Sequence, residues 1–259
     1  MIGLTILGSG SRGNAMVIHG EDGAILVDAG FSMRQTRLRM EAQGVEIGDV
    51  QAILISHEHG DHVNGLRVAA KQLDIPVYCN RHTGTMLKDR EVSPETLHLF
   101  TAGATFQVGE FTIQPFSIPH DAMDPVGFVI SNGEHRIGVA TDLGHVNNMI
   151  CHHLKDCDML VVESNHDMGL LRQSSRPWSL KQRILSRHGH LSNDASMELL
   201  ARVLHDRTRQ VVLAHASQDC NRYELIEAHA AKGLAAIGRT DITPLVATQD
   251  DSLPTIWVK

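Results

Sequence analysis

At 259 residues, 42% hydrophobic and 20% charged, the chain is long enough for one large domain with two layered sheets, or at most two small domains. Its formal net charge of −7, with 17 histidines counted neutral, argues against a wholesale polyanion binder. The four cysteines, Cys79, Cys151, Cys157 and Cys220, form no CxxC pair and suggest neither a disulfide framework nor a thiolate zinc ribbon, which points to a reducing, cytoplasmic setting.

The opening Met1-Ile2-Gly3-Leu4-Thr5 lacks the basic and apolar regions of a signal peptide, and no stretch of roughly eighteen apolar residues occurs, so no membrane partner is expected. Strand-like runs come first at Leu4–Leu7, Ala15–Ile18 and Ala24–Val27, separated by turns at Gly8-Ser9-Gly10 and Glu21-Asp22-Gly23. Helical spacing over Phe31–Gln43 is followed by strand at Ala52–Ile55, helix at Val63–Leu73 and strand at Pro76–Cys79. Alternation over Thr105–Ile118, broken at Gly109-Glu110, starts a second hairpin system. Further strands are expected at Gly127–Ile130, Ile137–Ala140, Met159–Val162 and Val211–Ala214, and helices at Leu180–Arg187, Asp194–Leu204 and Asn221–Lys232. Hairpins, a strand–helix unit, hairpins again and a helical C-terminal half indicate a layered α+β sandwich, not a doubly wound parallel sheet. With no repeat, low-complexity tract or linker visible, one domain spanning 1–259 is expected.

The densest chemistry lies in Ser56-His57-Glu58-His59-Gly60-Asp61-His62, just after a buried strand. Imidazole nitrogen and carboxylate oxygen suit Zn²⁺, Fe and Mn²⁺, and a tight loop can aim His57 and His59 at one ion and Asp61 and His62 at a neighbour. Gly60 would let the backbone reverse. His120, Asp142 and His215 each follow a strand as well, where a strand end can deliver a side chain to an edge site.

Two later segments add possible proton chemistry: Glu163-Ser164-Asn165-His166-Asp167 after a strand, and Gly189-His190-Leu191-Ser192-Asn193 before a helix. A histidine tuned by a carboxylate can protonate a leaving oxygen. Ser192 or Asn193 can also cap the helix that follows. Asn165 and His166 would either touch substrate or brace the Glu163 loop. Between Met168 and Asn193 there is no acidic residue, whereas Arg172, Arg176, Lys181, Arg183 and Arg187 all occur, with Trp178 among them. Such a basic surface suits phosphate contacts, and the indole offers a stacking platform. The Gly8–Asn14 turn lacks the Gly-Lys-Ser/Thr ending of a nucleotide-binding loop, so no nucleotide cofactor is expected. Ser11, Arg12 and Asn14 could instead line the rim of a site and contact a phosphate.

In the order His57-x-His59-x-Asp61-His62, His120, Asp142 and His215, the chain resembles the metallo-β-lactamase-fold hydrolases. That resemblance implies an αββα sandwich of two mixed sheets flanked by helices. It also implies one ion on His57, His59 and His120, a second on Asp61, His62 and His215, and Asp142 bridging them. Asp28, in Val27-Asp28-Ala29-Gly30, would fix loop geometry without touching metal. Two ions, Zn²⁺ or Mn²⁺, would activate water for hydrolysis. An aspartate at the bridging position favours the phosphodiester enzymes of the superfamily. Ribonuclease Z enzymes have a similar Glu and His pair, which by resemblance makes His190 a general acid and Glu163 its orienting partner, so that Asp61, His190 and Glu163 form the catalytic set.

Taken with the Gly-Ser-Gly-Ser-Arg-Gly-Asn opening, the last two motifs are similar to the bacterial YycJ/WalJ-like branch, over about Ile2 to the Tyr223 region. The branch implies a DNA exonuclease working 5′ to 3′. The stretch Ala214–Asn221 departs from the branch's usual Ala-His-Leu-Ser followed by Asn-Asn, keeping His215 but altering the rim beside it. The length leaves no room for a β-CASP domain, and the short His120–Asp142 interval leaves little for a tRNA-binding arm. A small-molecule phosphodiesterase or RNA-processing nuclease, a thioester hydrolase of the glyoxalase II type, and a non-enzymatic DNA-binding accessory with a relic metal site stay open as alternatives. Oligomeric state is not legible.

Overall fold

The structure is a computed structural model that describes residues 1–89 and 97–258. In chain order the elements are β1 (Ile2–Gly8), β2 (Ala15–His19), β3 (Ala24–Val27), α1 (Met33–Ala42), β4 (Val50–Leu54), α2 (Gly60–Val63), α3 (Leu66–Leu73), β5 (Val77–Asn80), α4 (Arg81–Lys88) and β6 (Leu97–Phe100). There follow β7 (Phe106–Val108), β8 (Phe111–Ser117), β9 (Val126–Ser131), β10 (Arg136–Ala140), α5 (Asn148–Leu154), β11 (Met159–Glu163), α6 (Met168–Gln173), α7 (Trp178–Ile184), α8 (Asn193–Val203), β12 (Gln210–Ala214), α9 (Tyr223–Ala236), β13 (Leu245–Val246) and β14 (Ile256–Val258).

Two seven-stranded sheets result, ordered β14-β1-β2-β3-β4-β5-β6 and β13-β12-β11-β10-β9-β8-β7. Each has an antiparallel half and a parallel half of four strands sharing one strand: the first is antiparallel from β14 to β3 and parallel from β3 to β6, and the second is parallel from β13 to β10 and antiparallel from β10 to β7. The two sheets thus share one plan, although no repeat is visible in the sequence.

Strand alternation explains the layering. Leu4, Ile6, Ile18, Ile25 and Val27 of the first sheet pack against Phe111, Ile113, Phe128, Ile130 and Val161 of the second. The opposite faces are apolar as well. Leu7, Val17, Leu26 and Ile53 meet Met40, Leu66 and Leu87 of α1, α3 and α4, while Leu160, Val162 and Leu213 meet Ile150, Leu199 and Leu234 of α5, α8 and α9. This is the expected αββα sandwich, an α+β fold in two mixed sheets. Among the described residues no helix is long and apolar enough to cross a membrane.

Element ends differ from expectation where side chains are needed elsewhere. The single helix expected over Val63–Leu73 is split into α2 and α3, because the Gly65 N–H donates to the Ala29 carbonyl at 2.8 Å while the Asp61 and His62 carbonyls accept from the Asn14 and Ala29 N–H groups, so these backbone groups are not available to a continuous helix. The helix expected to run to Arg187 stops at Ile184, whose carbonyl accepts the His190 N–H at 3.0 Å as the chain turns back. The last long helix begins at Tyr223, two residues late, because Asn221 turns inward. Unforeseen α4, α5 and α6 each start at a cap, where Asn80, Asn147 and Asp167 accept the backbone N–H three residues on.

Candidate metal centre

Parallel strands of both sheets end at one place. Asp28 follows β3, the His57–His62 loop follows β4, Asp142 follows β10, Glu163 ends β11 and His215 follows β12. Asp28, Asp142 and His215 have φ of 60°, 57° and 55°. This left-handed conformation is one that aspartate tolerates better than most residues. In each case it reverses the chain where the strand ends.

Hydrogen bonds on Nδ1 turn Nε2 of His57, His62, His120 and His215 toward the cluster, whereas His59 faces His120 through Nδ1. His62 Nδ1 donates to Asp28 Oδ2 at 2.7 Å, His120 Nδ1 to the Gly189 carbonyl at 3.0 Å, and His215 Nδ1 to Glu163 Oε1 at 3.0 Å. His57 Nδ1 lies 3.0 Å from Ser56 Oγ, which in turn donates to Asp28. The Nε2 atoms are left to one another and to the carboxylates. His57, His59 and His120 offer ring nitrogens within 4.8 Å of one another, and so do Asp61, His62 and His215 with their donor atoms. Asp142 joins His57 and His62 within the same limit, and also Glu163, His190 and His215.

His57 Nε2 is buried without a hydrogen-bond partner. A lone pair so placed costs free energy unless something fills it. Burial, then the neighbouring His62, hold the His57 pKa well below the ordinary value, so the ring is neutral as a ligand must be. Burial is the largest influence on His62 and His215 and opposes their charge, yet the surrounding carboxylates together, Asp142 with Asp28 for His62 and with Asp61 and Glu163 for His215, hold both well above the ordinary range. The buried carboxylates therefore draw positive charge into the cluster, and this donor set suits a divalent metal ion.

Glu163 is fully buried and binds on four sides. Its Oε1 accepts from His190 Nδ1 at 2.8 Å and from His215, and its Oε2 accepts the backbone N–H of Leu143 at 3.0 Å and of Leu191 at 2.9 Å. Burial pushes its pKa up, but His190 and His215 pull it further down, to about 2. The His190 pKa is in turn raised, with Glu163 overcoming burial. A carboxylate that fixes one imidazole nitrogen leaves the other to carry a proton.

A cavity of about 250 Å³ opens over the cluster, lined by His59, Asp61, His120, Asp142, His190 and His215. Of the candidate substrate contacts, Ser11, Asn165 and Arg176 line it too, as do Arg183 of the basic stretch and, not proposed as contacts from the sequence, Asp121 and Ser217. Others lie elsewhere. Asn14, expected at the rim, is buried; its amide donates to Asp61 Oδ2 at 3.2 Å, and its carbonyl oxygen accepts from Ser9 Oγ at 2.9 Å. Asn193 is buried against Ser164 and Asn221. His166 is buried with both ring nitrogens unpartnered, its pKa lowered to about 4 chiefly by burial. Lys181 spends its ammonium on the Arg172 and Ser174 carbonyls, at 2.8 and 2.6 Å. These four brace the walls. Arg12 is paired with Asp250 at 2.8 Å, Arg172 is exposed, and Trp178 is 66% exposed at the start of α7. Ser192, not Asn193, caps α8 by accepting the Ala195 N–H.

The model of a family described as the beta-lactamase superfamily domain matches residues 24–216. A protein of Bacillus anthracis named exodeoxyribonuclease YycJ is 35% identical over 223 residues, 85% of this chain and 84% of its own. Exodeoxyribonuclease WalJ of Streptococcus pneumoniae is 34% identical over 225 residues, with the same coverage. Among solved structures, the metallo-β-lactamase-fold protein YhfI of Bacillus subtilis superposes with a TM-score of 0.75 at 15% identity, over 98% of this chain and 99% of that one.

Proposed function

The chain belongs to the β-lactamase superfamily and is a metal-dependent hydrolase of the YycJ/WalJ-like branch, and from that premise we infer that it degrades DNA from an end, 5′ to 3′, with two divalent ions. The observation that carries the reading is His190 held by Glu163 beside the cluster of seven metal-suited side chains. In this reading His57, His59 and His120 would hold one ion and Asp61, His62 and His215 the other, with Asp142 within reach of donors from both sets. Zn²⁺ or Mn²⁺ both suit the donors. When bound, such ions polarise a phosphoryl oxygen and activate water.

The side chains do the rest. Glu163 keeps His190 Nδ1 occupied, so Nε2 delivers the proton to the leaving oxygen. Asp28 and Glu163 fix the ligand histidines by their outer nitrogens, a device that sets tautomer and ring direction. The names of both relatives support DNA as substrate. Four cysteines, all free and buried, support a reducing, cytoplasmic setting.

Purified protein incubated with 5′- and 3′-end-labelled DNA, with Mn²⁺ or Zn²⁺ and with chelator, tests the reading. Metal-dependent loss of the 5′ nucleotide first is the expected result. Activity on RNA or on bis-p-nitrophenyl phosphate without DNA degradation would replace it with one of the related phosphodiesterases.

A further inference from the structure

Arg183 stands on α7 with its guanidinium in the cavity wall and its Nε bonded to Asp121 Oδ2. The other oxygen of the same carboxylate lies 3.3 Å from His120 Nε2, the nitrogen that also approaches His59 Nδ1 at 3.3 Å. Asp121 therefore spans from the edge of the metal cluster to a cation on the rim. An anionic oxygen placed between those two points is what a phosphate of a bound strand would supply. The carboxylate fills the position with an internal anion.

The geometry points to Arg183 as the anchor for the phosphate next to the scissile one, with Asp121 as the counter-ion that the phosphate displaces. This rests on the phosphodiesterase reading above and adds to it a named contact. Two observations and the bonding geometry of guanidinium converge on it. The Arg183 side chain is 60% exposed, so it can swing, and the pair with Asp121, itself 28% exposed, is of the solvent-screened kind that opens cheaply. Guanidinium can bind phosphate through two parallel N–H bonds, whereas Asp121 meets Arg183 through Nε alone, so a phosphate can add a contact that the carboxylate does not make. On the same wall Arg176 is held by Asp219 at 2.9 Å, a second cavity-lining arginine with an exposed counter-ion.

A carboxylate so placed also sets selectivity. It opposes any anion that lacks the reach to meet both the metal cluster and Arg183, so single small anions gain little from the site. A strand with consecutive phosphates meets both at once. Contacts of this kind position the backbone without reading bases.

The test uses the full-length, metal-loaded protein and a short single-stranded DNA with a methylphosphonate at the linkage next to the terminal one, so that a single charge is removed. Arg183→Gln is expected to raise KM for unmodified DNA roughly tenfold or more and to lower the log–log salt slope by about one. The methylphosphonate is expected to cost the wild type a similar factor but to add little in Arg183→Gln, the non-additivity that marks a direct pair. Asp121→Asn, with metal content checked by elemental analysis, is expected to lower KM. A methylphosphonate penalty of the same size in wild type and Arg183→Gln, or an unchanged salt slope, would overturn the anchor while leaving the nuclease intact. A raised KM in Asp121→Asn at full metal content would show that Asp121 positions the arginine instead of competing, and would overturn the exchange. A wild type that leaves all DNA uncut would overturn the underlying reading, and the anchor with it.

Discussion

The side-chain amides of Asn193 and Asn221 face each other in a buried seam and exchange two hydrogen bonds, of 3.0 and 2.9 Å. Asn193 Oδ1 also accepts from Ser164 Oγ, and Asn221 Nδ2 donates to the Ser164 carbonyl. One pair of amides thus ties together the segments that carry Glu163, His190 and His215. Asn221→Ala would leave the Asn193 Nδ2 group and the Ser164 carbonyl unpartnered away from water, at a cost of about 1–3 kcal/mol. Urea unfolding should show that loss of stability. Asn193→Asp should destabilise as well, because it sets an anion against the Asn221 carbonyl oxygen.

Gly30 has a different sensitivity. A Cβ at that position would lie 1.7 Å from the Asp61 carbonyl oxygen and 2.6 Å from the Asn14 backbone nitrogen, and neither is a flexible side chain that can give way. The Asn14 N–H donates to that same Asp61 carbonyl at 2.7 Å. Gly30→Ala should therefore push the metal loop off the β1–β2 turn. Elemental analysis should find less bound metal than in the wild type, with far-ultraviolet circular dichroism little changed.

His190→Ala separates proton donation from metal binding. Turnover of DNA should fall by about 10²–10⁴, the usual value of a positioned acid. The loss should be much smaller with bis-p-nitrophenyl phosphate, whose leaving group departs without a proton. Equal losses on both substrates would remove the general-acid role.

His19 predicts an acid-sensitive stability away from the metal centre. Its ring lies 2.8 Å from Thr5 Oγ1 and tilts over Trp257, with centroids 5.7 Å apart. Burial, only partly offset by Asp49, lowers its pKa from 6.5 to about 4. Between those values the unfolded chain holds a proton that the folded one does not, so stability declines as pH falls through this window and levels off below it. Allowing for partial exposure, the effect is about 1–2 kcal/mol. Denaturant unfolding at pH 7.5 and pH 4.5 should show a smaller difference for His19→Gln than for wild type.

Much of the centre was legible because its donors lie where strands end, and apolar runs followed by histidine or aspartate can be seen without coordinates. His57, His59, Asp61, His62, His120, Asp142 and His215 all come together. What the sequence conceals is direction. Asn14, Asn193, His166 and Lys181 are polar residues near catalytic motifs, and only the fold shows that their side chains turn inward or onto backbone. Asp121 lies in no motif, and the motifs that contain Ser9 and Asn221 do not show what either side chain does, because those roles depend on partners 28 to more than 200 residues away or on a neighbouring wall. The same distance hides β14, which pairs with β1 from the far end of the chain. The short helices α4, α5 and α6 escaped because they hold too few turns for periodicity to register, although each carries a cap.

The Ser9 hydroxyl accepts the His215 N–H at 3.0 Å, so a turn near the start of the chain and the end of β12 are fastened directly together. During synthesis, the His57–His62 loop emerges roughly 150 residues ahead of His215, an interval of about 8–30 seconds at ordinary elongation rates. For that time the early donors exist without their late partners. Closure of the centre is thereby timed to the arrival of the C-terminal part, and a chain that stops before β12 carries six of the seven donor side chains, with Glu163 and His190, but lacks His215 and the contact that fastens it to Ser9.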